Sequence, residues 1–130
     1  MEPVLLLTVE EVLAIHDDQI ERYGGSAGVR DTNLLESAVN AVAASFGGER
    51  LHTGLVEMAG AYLYYLVKDH PFVDGNKRVG AGAASVFLKM NGIELNATEP
   101  EFGDLVLAVA QGKADQAVVG EFIRAHIGEQ

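Results

Sequence analysis

The chain reads His70-Pro-Phe-Val-Asp-Gly-Asn-Lys-Arg78 between two apolar stretches whose spacing predicts two helices. Pro71 predicts the end of the first helix, because a proline pushes the residue before it out of the α region. Gly75 can adopt a positive φ without steric cost, so the chain can turn sharply and present successive N–H groups to an anion. The second helix is predicted from about Asn76 to Asn91, and its free N–H groups and positive dipole end lie at the same place.

Two cations would occupy the first turn of this second helix. Lys77 and Arg78 are unfavourable there for the helix alone, and a bound phosphate would remove the conflict. Arg78 suits bidentate contacts with phosphate oxygens and Lys77 a point contact. A solvated pair of charges is the ordinary alternative for adjacent cations. The stretch is not a Walker A loop, because Val79 has no hydroxyl for Mg²⁺, so any nucleotide site here has a different design.

Other side chains of the stretch could also take part in chemistry. His70 is a candidate general base, although a lone histidine at a helix end is more often a cap or a surface residue. Asp74 could be a hard oxygen ligand for Mg²⁺ bound to ATP. A role of Asp74 as the N-cap of the second helix explains the sequence equally well. The Asn76 amide could position either a phosphate or the loop around Asp74. Phe72 is more simply explained as a core anchor than as a nucleotide contact.

This nonapeptide resembles the signature of the Fic/Doc superfamily, which reads His, any residue, Phe, any residue, Asp or Glu, a small residue, Asn, Gly or Lys, then Arg. Every specified position matches. Most Fic enzymes, which transfer AMP from ATP, carry Gly after the Asn and a second Arg three residues beyond the first, where this chain has Lys77 and Ala81. In both respects the chain is similar to the Doc branch, the death-on-curing toxins of toxin–antitoxin operons, which transfer the γ-phosphate. The likeness extends to the segment 23–31.

The resemblance implies an all-α toxin that phosphorylates a Ser or Thr hydroxyl of a protein, elongation factor Tu in this family, and so arrests translation. It also implies ATP and Mg²⁺ as cofactors, with His70 as the general base and Asp74 as the metal ligand. The implied phosphate contacts and charge-offsetting groups are Gly75, Asn76, Lys77 and Arg78. Transfer of AMP by the same residues remains an alternative. A binding module that retains the fold without turnover is a second alternative, which the intact motif disfavours.

A separate inhibitor is expected as a partner. Some Fic enzymes silence themselves with a helix that reads Ser or Thr, three residues, Glu, then Gly or Asn. The ranges 32–36, 45–49 and 53–57 have the first spacing, but Ser37, Arg50 and Met58 follow them, so the motif is incomplete in each. The resemblance therefore implies a Phd-like antitoxin, whose disordered segment would become helical in a groove near the site.

Composition and charge limit the other functions. A length of 130 residues with 48% hydrophobic residues predicts one domain spanning 1–130. The 19 acidic and 9 basic residues give a formal charge of −10, which argues against direct binding of nucleic acid or anionic membranes. Lys68, Lys77 and Arg78 nevertheless lie within eleven residues, and one basic spot on an acidic body fits a small anion. Oligomeric state is not predicted.

The absence of cysteine excludes disulfides and thiolate zinc sites. The amino terminus has neither the basic region nor the apolar length of a signal peptide, and no apolar run approaches membrane-spanning length. We therefore expect a cytoplasmic location.

The hydrophobic pattern predicts a bundle of about six helices, with the motif between the third and the fourth. Capping-box spacings, a Thr followed three residues later by Glu, open the first and fifth helices. The predicted starts are Thr8, Asp31, Thr53, Asn76, Thr98 and Asp115. The run of small residues at 80–84 includes two glycines, which weaken helix propensity, so another helix is expected to cross the fourth closely there.

The remaining histidines are predicted to be structural. The apolar face of the first helix ends at Tyr23. His16 lies on this face and is predicted to be partly buried and hydrogen-bonded. His52 lies in a polar loop, and His126 near the carboxyl terminus is favourable for the helix dipole. No His-Glu-x-x-His spacing occurs, which argues against a zinc enzyme. Arg30 in the earlier Gly-rich loop could border the site as part of a substrate flap.

Overall fold

The computed structural model describes residues 4–46 and 54–128, without the side chains of residues 45 and 46. It contains six helices, which are α1 Val9–Tyr23, α2 Thr32–Phe46, α3 Leu55–Asp69, α4 Asn76–Met90, α5 Glu99–Ala110 and α6 Gln116–Ala125. Between these helices the described ranges hold two isolated bridges and no strand. The predicted all-α class and the number of helices are confirmed. Thr53, the predicted start of the third helix, and His52, predicted in a loop, lie outside the described residues.

Side-chain caps begin four of the helices, as their sequences predict. The Thr8 and Thr98 hydroxyls each accept the N–H of the residue three positions later, at 3.1 and 3.2 Å, and complete capping boxes at α1 and α5. Asp31 and Asp115 accept the corresponding N–H groups at α2 and α6, each at 3.0 Å. Such caps satisfy N–H groups that the helix itself leaves without a partner. Helix α4 has no side-chain cap, and Gly75 occupies its N-cap position.

Helix α3 forms the centre of the bundle and packs against α2, α4, α5 and α6. Its side chains are buried around most of the helix circumference, which is typical of a helix enclosed by others. Tyr62 is fully buried, and its hydroxyl accepts the Leu7 N–H at 3.0 Å. Burial raises the pKa of Tyr62. The last turn of α3 leads into the motif, and this packing fixes its position in the core.

None of the helices in 4–46 and 54–128 has the length and apolar character to span a bilayer.

Small residues let two helices approach α4 closely. A Cβ atom at Gly80 would lie 2.7 Å from Val67 Cγ2 and 3.2 Å from the Leu63 carbonyl oxygen, both on α3. A Cβ atom at Gly82 would lie 3.0 Å from Ile15 Cγ2 on α1. The predicted close crossing is confirmed, and the small residues serve two neighbours rather than one. The start of α4 is thereby held between α1 and α3.

Candidate active site

The connection from α3 to α4 is short and conformationally restricted. His70 ends α3 in the left-handed region, with φ 54°, and Gly75 begins α4 with φ 79°. Positive φ is uncommon for a residue with a side chain and is often found at functional sites. Between these residues Pro71 and Phe72 are buried, whereas Val73 is 52% exposed. The motif therefore turns outward after it has been anchored in the core.

Asn76 holds this connection from within. Its Oδ1 accepts the Phe72 N–H at 2.9 Å, and its Nδ2 donates to the Phe72 carbonyl oxygen at 3.0 Å. Both side chains are buried, and Phe72 is the core anchor that its sequence predicts. The amide thus positions the loop, which is one of the two roles that the sequence leaves open. A phosphate at the start of α4 would meet the Asn76 backbone N–H instead.

Asp74 does not cap α4, so that alternative is wrong. The Asp74 carboxylate accepts the Ser26 N–H at 3.1 Å and the Gly75 N–H at 2.8 Å. These two hydrogen bonds, with a smaller effect of the Arg78 charge, hold the pKa of Asp74 below its ordinary value. The side chain is exposed, and each oxygen accepts one bond, so lone pairs remain for a metal ion. The carboxylate is therefore ionised and accessible at the edge of the motif.

The two cations of the first turn of α4 have different surroundings. Lys77 is exposed and has no ion-pair partner within the described residues. Arg78 is half-buried, and its Nη2 donates to the Gly24 carbonyl oxygen at 3.0 Å, at the end of α1. A longer contact of 3.4 Å joins its Nη1 to the Gln19 carbonyl oxygen. A guanidinium has five N–H donors, so α1 orients Arg78 while other donors stay available to an anion.

The Gly-rich loop between α1 and α2 lies directly on the motif. The Arg30 N–H donates to the Pro71 carbonyl oxygen at 2.7 Å, and the Val73 N–H donates to Gly28 at 3.0 Å. The Arg30 guanidinium also donates through Nε to the His70 carbonyl oxygen at 2.7 Å. Arg30 therefore contacts the motif through both its backbone and its side chain. Its role as a substrate flap stays a prediction.

A cleft of about 400 Å³ opens in front of the start of α4. Its walls include all the predicted site residues, namely His70, Asp74, Gly75, Asn76, Lys77 and Arg78. The first N–H groups of α4 lack a side-chain cap, and the first turn of α4 contains no acidic residue. Free N–H groups, a positive dipole end and two cations thus meet on one wall, which is the chemistry of an anion site. The His70 side chain is exposed at the same cleft and can accept a proton from a bound hydroxyl.

Two further residues, Lys68 and His16, lie at this site. Lys68, in the last turn of α3, lines the same cleft and adds a further cation. His16 is buried, as predicted, but its Nε2 lies 2.7 Å from the Asp74 carbonyl oxygen, and its ring stacks on Phe72 at 3.8 Å. The clustering of cations in the sequence was a signal for Lys68. His16 gave none, because 58 positions separate it from Asp74.

An apolar groove of about 730 Å³ adjoins the cleft. Helices α1, α4 and α5 form it, and Lys77 and Arg78 line both the groove and the cleft. Its walls carry exposed apolar side chains, namely Tyr23 at 63%, Val86 at 38% and Leu107 at 45%. Tyr23, which the sequence places on the apolar face of α1, is therefore exposed at this groove rather than packed in the core. Its ring lies against the groove, 5.9 Å from the Arg78 guanidinium carbon.

The chain that forms this helical bundle and its motif belongs to the Fic/DOC family. The sequence model of the Fic/DOC family matches residues 6–88, which include the whole motif. The chain is also similar to "Protein kinase doc" of Escherichia phage P1, with 34% identity over 122 residues, 94% of this chain and 95% of that protein. It is 41% identical over 75 residues to "Toxin Doc" of Mycolicibacterium smegmatis, 58% of each chain. The predicted family and fold are confirmed.

Proposed function

We propose that the protein is a Doc-type toxin that transfers the γ-phosphate of ATP to a Ser or Thr hydroxyl of a protein. The observation that carries this proposal is the single cleft in which an exposed histidine, an ionised carboxylate and two cations surround an uncapped helix start. The chain is similar over 94% of its length to a relative named as a protein kinase. This likeness supports phosphoryl transfer rather than AMP transfer. Lys77 and Ala81, which replace residues typical of AMP transfer, point the same way.

The start of α4 would bind the phosphates. The N–H groups of residues 76–78 have no partner within the helix, whereas the Val79 N–H already donates to the Gly75 carbonyl oxygen at 2.9 Å. Lys77 and Arg78 would offset the negative charge that is spread over the phosphoryl oxygens in the transition state. Lys68 lines the same cleft and would add a third positive charge. Positioning and charge stabilisation are the main contributions that a protein makes to phosphoryl transfer.

His70 would take the proton of the attacking hydroxyl. The hydroxyl oxygen forms a bond to the γ-phosphorus, while the bond from that phosphorus to its bridging oxygen breaks and ADP leaves. The proton passes to a ring nitrogen of His70, whose side chain is exposed at the cleft. The Arg30 contacts with the backbone at 69 and 70 would hold this histidine in place.

Asp74 fits a magnesium ion that arrives with the nucleotide. Mg²⁺ is commonly held by one or two carboxylates together with substrate phosphates, so a single aspartate beside a phosphate site suffices. The low pKa of Asp74 keeps the required negative charge, and its exposed oxygens have lone pairs to spare. Within the described ranges no cluster of three or more His, Asp and Glu side chains could hold a metal by itself. When bound, Mg²⁺ would neutralise part of the phosphate charge.

An antitoxin of the Phd type would bind the apolar groove beside the cleft. A segment that becomes helical could bury its apolar face against α1, α4 and α5. An acidic or hydrogen-bonding side chain at its end would then reach Lys77 and Arg78, which line groove and cleft alike. Such a segment would cover the phosphate contacts. The proposed protein target is elongation factor Tu, and the proposed activity would then be cytoplasmic.

Separate labelling of ATP at the α and γ positions tests the proposed reaction. The protein is incubated with a bacterial lysate and each label, with His70→Ala as the inactive control. We expect γ-label on one protein of the mass of elongation factor Tu, and no α-label. Incorporation of α-label instead would establish AMP transfer, and no incorporation of either label would support a non-catalytic module. Addition of an antitoxin peptide should suppress both ATP binding and labelling.

A further inference from the structure

The peptide bond between Asp74 and Gly75 is held from outside the motif, by α1. The Asp74 carbonyl oxygen lies 2.7 Å from His16 Nε2. A carbonyl oxygen can only accept, so the Nε2 atom carries a proton and donates it to this bond. Among the described contacts, His16 is the one donor to that oxygen. The imidazole is 1% exposed and stacks on Phe72 with an angle of 9° between the rings, so its direction is fixed.

The direction of this peptide decides what the cleft presents to an anion. In a trans peptide the C=O and N–H groups point to opposite sides. With the Asp74 carbonyl directed at α1, the Gly75 N–H points away from α1 and donates to the Asp74 carboxylate at 2.8 Å. A rotated peptide would direct the carbonyl oxygen to the other side, where its partial negative charge would oppose a phosphate. The carboxylate would also lose one of its two N–H donors.

Among the described contacts within the motif, only the hydrogen bond from the Gly75 N–H to the Asp74 carboxylate opposes this rotation. Gly75 has φ 79°, and a glycine can change between backbone conformations with little steric cost. The Asn76 amide fixes the Phe72 peptide groups, which lie two residues before the peptide in question. The Ser26 N–H binds the side chain of Asp74 and leaves its carbonyl free to turn. His16 is thus the contact that acts on the Asp74 carbonyl itself.

We propose that His16 is a positioning residue that locks the Asp74–Gly75 peptide with its carbonyl oxygen turned away from the phosphates. This inference rests on the proposed function, because it assigns a role in the same cleft. The lock requires the N–H at Nε2, and not only the bulk of the ring. A residue that merely fills the core would tolerate an apolar ring of similar size.

Three variants separate the lock from core packing. His16→Phe keeps a ring against Phe72 and removes the donor, whereas His16→Gln retains an N–H donor at a similar reach. Val12→Ala is the matched control, because Val12 is fully buried on the same helix and has no contact with the motif among its hydrogen bonds or in the cleft. We expect H16F to raise the KM for ATP and to lower kcat/KM for γ-phosphate transfer by about 10- to 100-fold. H16Q should recover most of this loss, and V12A should lower the melting temperature without a change in KM.

Equilibrium binding of ATP–Mg²⁺ to the same proteins keeps the test independent of turnover. Wild-type protein that binds ATP–Mg²⁺ but transfers nothing would overturn the proposed function, while weaker binding by H16F than by H16Q and V12A would still support the lock. Equal affinity of wild type, H16F, H16Q and V12A for ATP–Mg²⁺ would overturn the proposed lock. A further measurement needs no variant: in the wild-type complex with ATP–Mg²⁺, the His16 Nε2 proton should stay protected from exchange, and its loss of protection on binding would contradict the inference.

Discussion

The starts of α4 and α5 differ although both helices begin at the surface of the same bundle. At α5 the Thr98 hydroxyl accepts the Glu101 N–H, and the Glu101 carboxylate accepts the Thr98 N–H at 3.0 Å. Acidic residues follow in the first turn, where the helix dipole favours them. At α4 a glycine stands in the N-cap position, no side chain caps the helix, and the first turn carries Lys77 and Arg78.

This difference separates a helix start that stabilises the fold from one that we propose binds an anion. A side-chain cap is worth about 1 kcal/mol, and each charge near the dipole about 0.3–1 kcal/mol, so the α4 start is locally the weaker of the two. Packing of Gly80 against α3 and the Asn76–Phe72 hydrogen bonds hold α4 in place without a cap. A locally unfavourable feature that tertiary contacts maintain is expected at a functional site. The N–H groups of α4 therefore stay available to an anion.

The largest effect is expected from His70→Ala, next to the α4 start. Transfer of γ-label should fall by about 10²- to 10⁴-fold, which is the usual contribution of a positioned general base. The melting temperature should stay unchanged, because the side chain is exposed and its ring makes no hydrogen bond in the described structure. Initial rates and thermal unfolding measure the two quantities. A folded variant with full activity would show that His70 has no catalytic role.

Charge reversal at Lys77 should move activity and stability in opposite directions. Lys77→Glu should lower transfer by about 10²-fold, because the proposed contact of Lys77 with the transition state would be replaced by a repulsive charge. The free energy of unfolding should rise by about 0.3–1 kcal/mol, since an anion suits a helix start. Lys89→Glu is the matched control, because Lys89 is exposed in the last turn of the same helix. It should lower stability slightly and leave transfer intact, and equal losses of transfer in both variants would argue against a local phosphate contact.

The opposite pattern is expected at the start of α5. Thr98→Ala removes the hydroxyl that caps the helix, so the free energy of unfolding should fall by about 1 kcal/mol. Transfer rates at a temperature well below the melting point should not change, because Thr98 does not line the cleft. Thr98→Ser retains the hydroxyl and should retain the stability. A marked loss of transfer in T98A at full folding would contradict the division between the two helix starts.

The smallest effect is expected in the pH dependence of the α5 cap. Hydrogen bonds from the Thr98 N–H and hydroxyl, with a smaller contribution from His126, lower the pKa of Glu101. A lowered pKa in the folded state adds stability above the ordinary glutamate pKa, and this contribution disappears as the pH falls through the folded value. Denaturant midpoints should therefore show Glu101→Gln less stable than wild type near about pH 7, and the two proteins should converge below about pH 4. A difference that persists in acid would exclude the carboxylate charge as its cause.

The sequence predicts the local parts of this comparison well. Both capping boxes are spacings of three residues, so Thr98 and Glu101 could be paired without a structure. The six helices and the position of the motif followed from periodicity for the same reason. Asp74 and Gly75 are adjacent, however, and propensity alone could not decide which one stands at the N-cap.

Contacts between distant parts of the chain could not be predicted. Arg78 is oriented by carbonyl oxygens 54 and 59 positions earlier, and His16 reaches Asp74 across 58 positions. The path of α1 past α4 determines these pairs, and a pattern of apolar residues does not specify that path. Tyr23 shows the same limit, because its position on the apolar face did not reveal that the neighbouring groove is open.

The central claim is that the uncapped start of α4 binds the phosphates of ATP. Its most direct test is the equilibrium affinity of wild-type protein and of Lys77→Glu for ATP–Mg²⁺, measured by calorimetric titration without a protein target. We predict that wild type binds and that the variant binds at least about tenfold more weakly, since repulsion replaces a charge-assisted contact. Equal affinity of the two folded proteins would contradict the claim, because the phosphates would then lie elsewhere.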